Sequence, residues 1–210
     1  MLFPQILPCE SIYKSMADSL YLSLWFSDFS TDNMFGRAVQ VLRQFPFSKT
    51  LPGITAVALH PVSWNEATIL EQRFRTGVAP EAALAVAADL IHDDYAYVFE
   101  VNWDLWTPGT DEWVLRPEPV KIILRGEEFE DGEAKVEGDI QVDFGLDTAF
   151  LHEELQLSSE LESRVRANVK TLVDFINQVE KEAGTSARLL WSESDENLAQ
   201  KLISRLQKVQ

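Results

Sequence analysis

Residues 99–105 read F-E-V-N-W-D-L, which sets Glu100, Asn102 and Asp104 at every second position with Phe99, Val101, Trp103 and Leu105 between them. On an extended strand, alternate side chains project to one face about 7 Å apart. Two carboxylates at that spacing suit two kinds of chemistry. They can hold a divalent ion, or, when buried together, repel until one keeps its proton and the pair divides into acid and base. Left in water, they are the hydrated side of a strand. Trp106 continues this face. Trp25 stands with Tyr21, Ser23 and Ser27 on the less greasy side of an earlier segment, S-L-Y-L-S-L-W-F-S. Indole faces attract ammonium and guanidinium groups, and carboxylates add Coulomb attraction. The candidate binding residues are therefore Tyr21, Trp25, Glu100, Asn102, Asp104 and Trp106, with Glu100 and Asp104 the pair an enzyme would use. Lys121 and Arg125, in V-K-I-I-L-R-G, are the cations expected to pair with this acidic row. Trp64, Trp103, Trp113 and Trp191 are assigned to packing, the commoner fate of large aromatics.

The motifs of cofactor chemistry do not occur. The nine glycines form neither G-x-G-x-x-G nor G-x-x-x-x-G-K, and no G-x-S-x-G elbow is present. Neither a cofactor nor a metal is expected. The single Cys9 excludes an intrachain disulfide and a multi-thiolate site. His60, His92 and His152 are far apart. The runs His92-Asp93-Asp94 and His152-Glu153-Glu154 stand at element boundaries, where turn and helix-end roles account for them.

The elements that must position these residues follow from periodicity. Leu20, Leu22, Leu24 and Phe26 alternate as the apolar side of a first strand. Ser30, Thr31 and Asp32 offer cap chemistry to a helix carrying Phe35, Ala38, Val39, Leu42 and Phe45, which Pro46 ends. A strand over 54–60, a neighbouring strand or irregular segment over 68–74, a helix from Pro80, and a long strand from Tyr95 to about Trp106 follow. This βαββαβ order is that of a ferredoxin-like two-layer α/β sandwich, in which the first and fourth strands are neighbours. That adjacency would bring Tyr21 and Trp25 to Glu100, Asn102, Asp104 and Trp106. After Pro108 and Gly109 the chain reads as an antiparallel hairpin, then a helix from Ser159 with Glu162 completing a capping box and Gly184 closing it, a short strand at 187–191, and a closing helix on Leu198, Leu202, Leu206 and Val209. The acid-rich stretch from Glu127 to Asp139 is expected to stay extended and wet as the hairpin tip, through mutual repulsion. The fold class is α+β, with a loose leader at 1–15, a ferredoxin-like half at 16–108 and a second α/β half at 109–210 packed against it, a possible tandem arrangement.

Thirty-four acidic against eighteen basic residues give a net charge of −16. Such a field repels phosphate backbones and anionic bilayers, so neither nucleic acid nor a membrane is an expected partner. One cysteine, no basic leader and no apolar run of about 20 residues fit a soluble protein of the reducing cytoplasm. Three functional readings stand. The first is a non-enzymatic interaction module that takes a protein or cationic small-molecule partner on an acidic, tryptophan-bearing sheet face. The second is a carboxylate-dependent hydrolase or transferase, with or without a divalent metal. The third is an acidic decoy for basic proteins or for nucleic-acid-binding surfaces. An edge strand such as 119–125 would also allow pairing into a homodimer.

Overall fold

A computed structural model of the chain describes residues 18–110, 112–151, 158–192 and 202. The leader at 1–15, Cys9, the His152 cluster and all of the closing helix but Leu202 lie outside the described residues. The alternation of Leu20, Leu22 and Leu24 with Tyr21, Ser23 and Trp25 becomes β1 (Ser19–Trp25), whose three leucines are wholly buried. α1 (Met34–Gln44), β2 (Ile54–Pro61), β3 (Leu70–Val78), α2 (Pro80–Ala85) and β4 (Tyr95–Pro108) follow. Then come β5 (Trp113–Arg125), α3 (Ala134–Glu137), β6 (Ile140–Leu146), α4 (Ser159–Ala183) and β7 (Ala187–Ser192). The class is mixed α+β, and the strands form one antiparallel seven-stranded sheet in the order β3-β2-β4-β5-β6-β1-β7.

This order corrects the ferredoxin-like expectation. The elements of the first half do run βαββαβ, but β5 and β6 lie between β4 and β1. The reason is local. β4 and β5 form a hairpin paired without interruption from Ala96↔Arg125 to Pro108↔Trp113. A short connection loses little loop entropy, so this hairpin claims the edge of β4 that β1 would have needed. Displaced from β4, β1 gains neighbours on both sides instead, β6 and β7. Strands from both halves of the chain thus share a single sheet.

The apolar side of that sheet carries the core. α1 packs on α2 and α4, and between helices and sheet Phe45, Phe175, Trp103 and Phe144 meet ring to ring, Phe45 standing 5.4 Å from Phe175 and Trp103 5.1 Å from Phe144. Tyr97 meets Phe35 edge-on at 5.0 Å, and its hydroxyl donates to the Leu90 carbonyl at 2.7 Å. Burial pushes this phenol up to about 12. Two helix starts differ from expectation. The cap of α4 is Ser158 and not Ser159; its hydroxyl accepts the Leu161 N–H, so Glu162 falls one position too late for a capping box with it. α1 begins after Asn33, whose side-chain oxygen accepts the Ser30 N–H within the preceding turn.

One amide joins α4 to the sheet. Asn168, 2% exposed, accepts the Trp106 N–H at 2.9 Å and donates to the Trp106 carbonyl at 2.7 Å and the Ala149 carbonyl at 2.9 Å. Where β2 has ended, this side chain stands in for a missing strand residue along β4. The backbone groups of Trp106 consequently face away from β5, and the Asn102 carbonyl likewise accepts from the Ser48 N–H outside the hairpin. The partners of Asn102 and Asp104 in β5 are Pro119 and Pro117. By the two-residue repeat of an antiparallel ladder, both proline nitrogens point outward, where no bond to β4 is lost.

Candidate functional site

The side chains opposite the helix layer define the candidate surface. Cross-strand partners share a face, and the register runs one row through the whole sheet: Arg73, Ala56, Glu100, Lys121, Asp143, Tyr21, Trp191. With neighbouring strands about 4.8 Å apart, the row spans about 29 Å. It alternates charge from Arg73 to Asp143 and ends in a stacked pair, Tyr21 and Trp191, with centroids 4.7 Å apart. The Trp191 indole N–H donates to the Ser23 hydroxyl at 3.0 Å, which fixes the ring on the face. Asp143 stands next to Tyr21 in register, and one of its oxygens accepts the Gly145 N–H at 2.9 Å.

By strand parity all six sequence-derived residues share this side, but they do not form one patch, and Trp106 meets the helix layer. Tyr21 and Glu100 share the row across three strand spacings, about 14 Å. Trp25 is covered, with its indole N–H bound to the Ala134 carbonyl at 3.1 Å. Glu100 pairs with Arg73 at 3.2 Å, reaching over Ala56, so the expected Glu100–Lys121 ion pair gives way to this one even though Lys121 is the residue directly opposite. Asp104 accepts the Lys49 N–H at 3.0 Å, and Asn102 sits half-buried opposite Pro119. The Trp106 face already carries a cation of this chain, the Arg164 guanidinium 4.7 Å from its centroid. Glu100 and Asp104 thus have separate partners rather than each other.

The acid-rich segment is the largest departure at the site. Instead of extending into water, residues 127–138 fold back over one end of the open face through a 3-10 turn, Phe129–Asp131, and α3. Phe129 is wholly buried and meets Trp64 edge-on at 4.9 Å. Three of its acids meet donors. Glu133 accepts from Arg125 Nε at 2.7 Å and from the Trp64 indole at 3.1 Å; Glu130 accepts the Trp64 N–H at 2.8 Å; Glu137 accepts from Gln141 at 2.8 Å. Arg125, 3% exposed, reaches Gln141 as well and lies 5.8 Å from the Trp64 ring. Repulsion is overcome because one buried guanidinium and several N–H donors meet the carboxylates. Arg125 therefore serves this cap and not the acidic row of β4. Burial pushes the Asp139 carboxyl above its ordinary range; the Phe26 N–H, 2.8 Å away, pulls it back, and Glu127 adds a further upward push. Burial, then the charge of Lys121, holds His60 below its ordinary value.

Two residues of this row lie outside the sequence-derived set. Trp191, expected to pack, does stack on Tyr21, and Asp143 stands beside that pair in register. Gln141 and Asp143 alternate with Ile140, Val142 and Phe144, which puts Asp143 on a polar strand face by pattern alone. No local signal places Trp191 beside Tyr21, because that pairing joins segments 170 residues apart. Among the described residues no group of three His, Cys, Asp or Glu side chains is arranged to hold a metal ion, and no helix is long and apolar enough to cross a membrane. Comparison with known proteins gave no matching family model, no matching curated protein and no matching solved structure.

Proposed function

We propose that this chain is a non-enzymatic binding module whose open sheet face takes a basic segment of a partner protein. The observation that carries the reading is the in-register group Asp143, Tyr21 and Trp191, in which a carboxylate adjoins a stacked aromatic pair. A Lys or Arg side chain laid over half-buried rings beside a carboxylate gains cation–π and Coulomb attraction together, about 0.5–1 kcal/mol for the former at an exposed site. The net charge of −16 steers basic partners toward the chain and repels anionic ones. The site is the relocated form of the sequence-derived one: Tyr21 stays, Trp191 and Asp143 replace Trp25 and the β4 acids.

The reading is tested by tryptophan fluorescence during titration with an oligo-arginine peptide. The native protein responds, Trp191→Ala and Asp143→Asn weaken or abolish the response, and raising the salt weakens it as well. An equal response from both variants, or none from the native protein, refutes the site. The rival hydrolase reading has its own marker, a response to divalent metal that Asp104→Asn abolishes. Separate partners for Glu100 and Asp104 favour the binding reading over it.

A further inference from the structure

The sheet has three stretches of outer edge among the described residues, and they are not alike. β3 is an edge strand that carries Glu71, Gln72, Arg73 and Arg75 exposed and meets β2 through a register shift. β5 is paired to β6 only from Lys121 to Leu124, so 119–125 is mostly interior rather than the free edge expected from sequence, and its free part carries Pro117 and Pro119. Charges, irregular register and outward prolines are the devices by which sheets refuse further strands. β7 has a regular register, no proline and a single charge. Its sequence is A-R-L-L-W-S, its pairing to β1 is regular from Leu20↔Ser192 to Trp25↔Ala187, and Leu189 at its middle is 52% exposed. Its one charge, Arg188, is paired at 2.6 Å with Glu180 of the same chain.

We propose that β7 is the seam of a homodimer, in which two copies join antiparallel, edge to edge, and continue the sheet. The strand is complementary to itself. A two-fold axis normal to the sheet through Leu189 keeps matching faces on the same side and sets Leu189 against its own copy. The same axis sets small Ala187 beside the partner's Trp191 and Arg188 beside the partner's Leu190. No like charges meet, because the only charge on the strand faces a leucine and is already neutralised by Glu180. For a chain of net charge −16, this neutral strand is where a second copy is repelled least. A seam six residues long is small beside the 1,200–2,000 Å² or so that stable interfaces bury, so the dimer forms with rising concentration rather than permanently.

Sedimentation equilibrium of the full chain at concentrations up to about 1 mM reads the association directly. The native protein shifts from monomer to dimer, and Leu189→Lys stays monomeric. Register is read by cross-linking in a Cys9→Ser background. Paired positions on adjacent strands lie about 4.5–5.5 Å apart, within disulfide reach, so Leu189→Cys joins two copies on mild oxidation. Ala187→Cys, two residues from the axis, does not. A native chain that is monomeric throughout, or a dimer that persists in Leu189→Lys, overturns the proposal. So does cross-linking of Ala187→Cys as fast as of Leu189→Cys. A monomer that still responds to oligo-arginine would remove this seam and leave the binding reading standing.

Discussion

Replacing Asn168 by Leu keeps the volume of the side chain and removes the amide that ties α4 to β4. Three backbone groups lose their partners: the Trp106 N–H, the Trp106 carbonyl and the Ala149 carbonyl. A buried polar group left unpaired costs about 1–3 kcal/mol. Trp106 is half-buried, and water can recover part of its loss, whereas Asn168 itself is 2% exposed on the sheet-facing side of α4. The expected destabilisation is about 3–5 kcal/mol, a large share of the roughly 5–15 kcal/mol that holds a typical domain together. In a chain of this size it lowers the melting temperature by roughly 6–20 °C. Urea unfolding followed by far-UV circular dichroism measures it, with the midpoint falling and the slope unchanged. Asn168→Asp sharpens the test. A carboxyl there still accepts the Trp106 N–H, but its second oxygen confronts two carbonyls unless it keeps a proton. Its pKa in the folded state is thus raised above that of the unfolded chain, so the folded state binds a proton that the unfolded chain has released. Stability then falls as pH rises through and beyond the ordinary carboxylate range, and returns toward native on acidification. The Leu variant has no such dependence. A loss below about 1 kcal/mol for Asn168→Leu, or identical pH profiles for the two variants, would refute the strand-substitute role.

Two further outcomes are expected. Glu133→Ala strands the buried Arg125 guanidinium and costs about 3–5 kcal/mol in urea unfolding, whereas adding Arg125→Met recovers much of that loss, because the penalty belongs to the unpaired charge; equal stability of the single and double variants would contradict it. Asp139→Asn gives a pH-dependent gain. The raised carboxyl of Asp139 makes its ionised form a cost to the fold above the ordinary carboxylate range, so the variant is more stable than the native chain at pH 7, and the difference shrinks as acid protonates the native side chain. Urea midpoints at pH 7 and at about pH 4 check the sign, and a gain that grows on acidification would reverse the argument.

Strand existence was legible wherever apolar and polar residues alternated, as in β1, β4 and β6, because one face of each is covered and the other is not. Helix α4 was legible from Leu161, Val165, Val169, Leu172, Ile176 and Val179, and Gly184 marked its end with a left-handed backbone at φ 68°. Which residues alternate together along a strand was legible too, since that depends only on parity. Neighbours were not. Tyr21 meets Trp191 and Asp143 through pairings fixed by the competition of hairpins for edges, and that competition is global. The cap over Trp25 was missed for a related reason. Charge counting along residues 127–139 sees like signs, but Arg125 and the Trp64 indole, which make those carboxylates welcome, belong to other parts of the chain.

The outward prolines of β5 also fix alignment. Slide β5 by one residue along β4, and Pro117 and Pro119 fall opposite Trp103 and Val101, whose backbone groups turn toward β5. Two ladder bonds would then lack a donor, and every apolar side chain of the strand would swap faces. Mispaired versions of the hairpin are thus penalised twice. The R-P-E-P-V-K segment selects one alignment for the longest hairpin in the sheet.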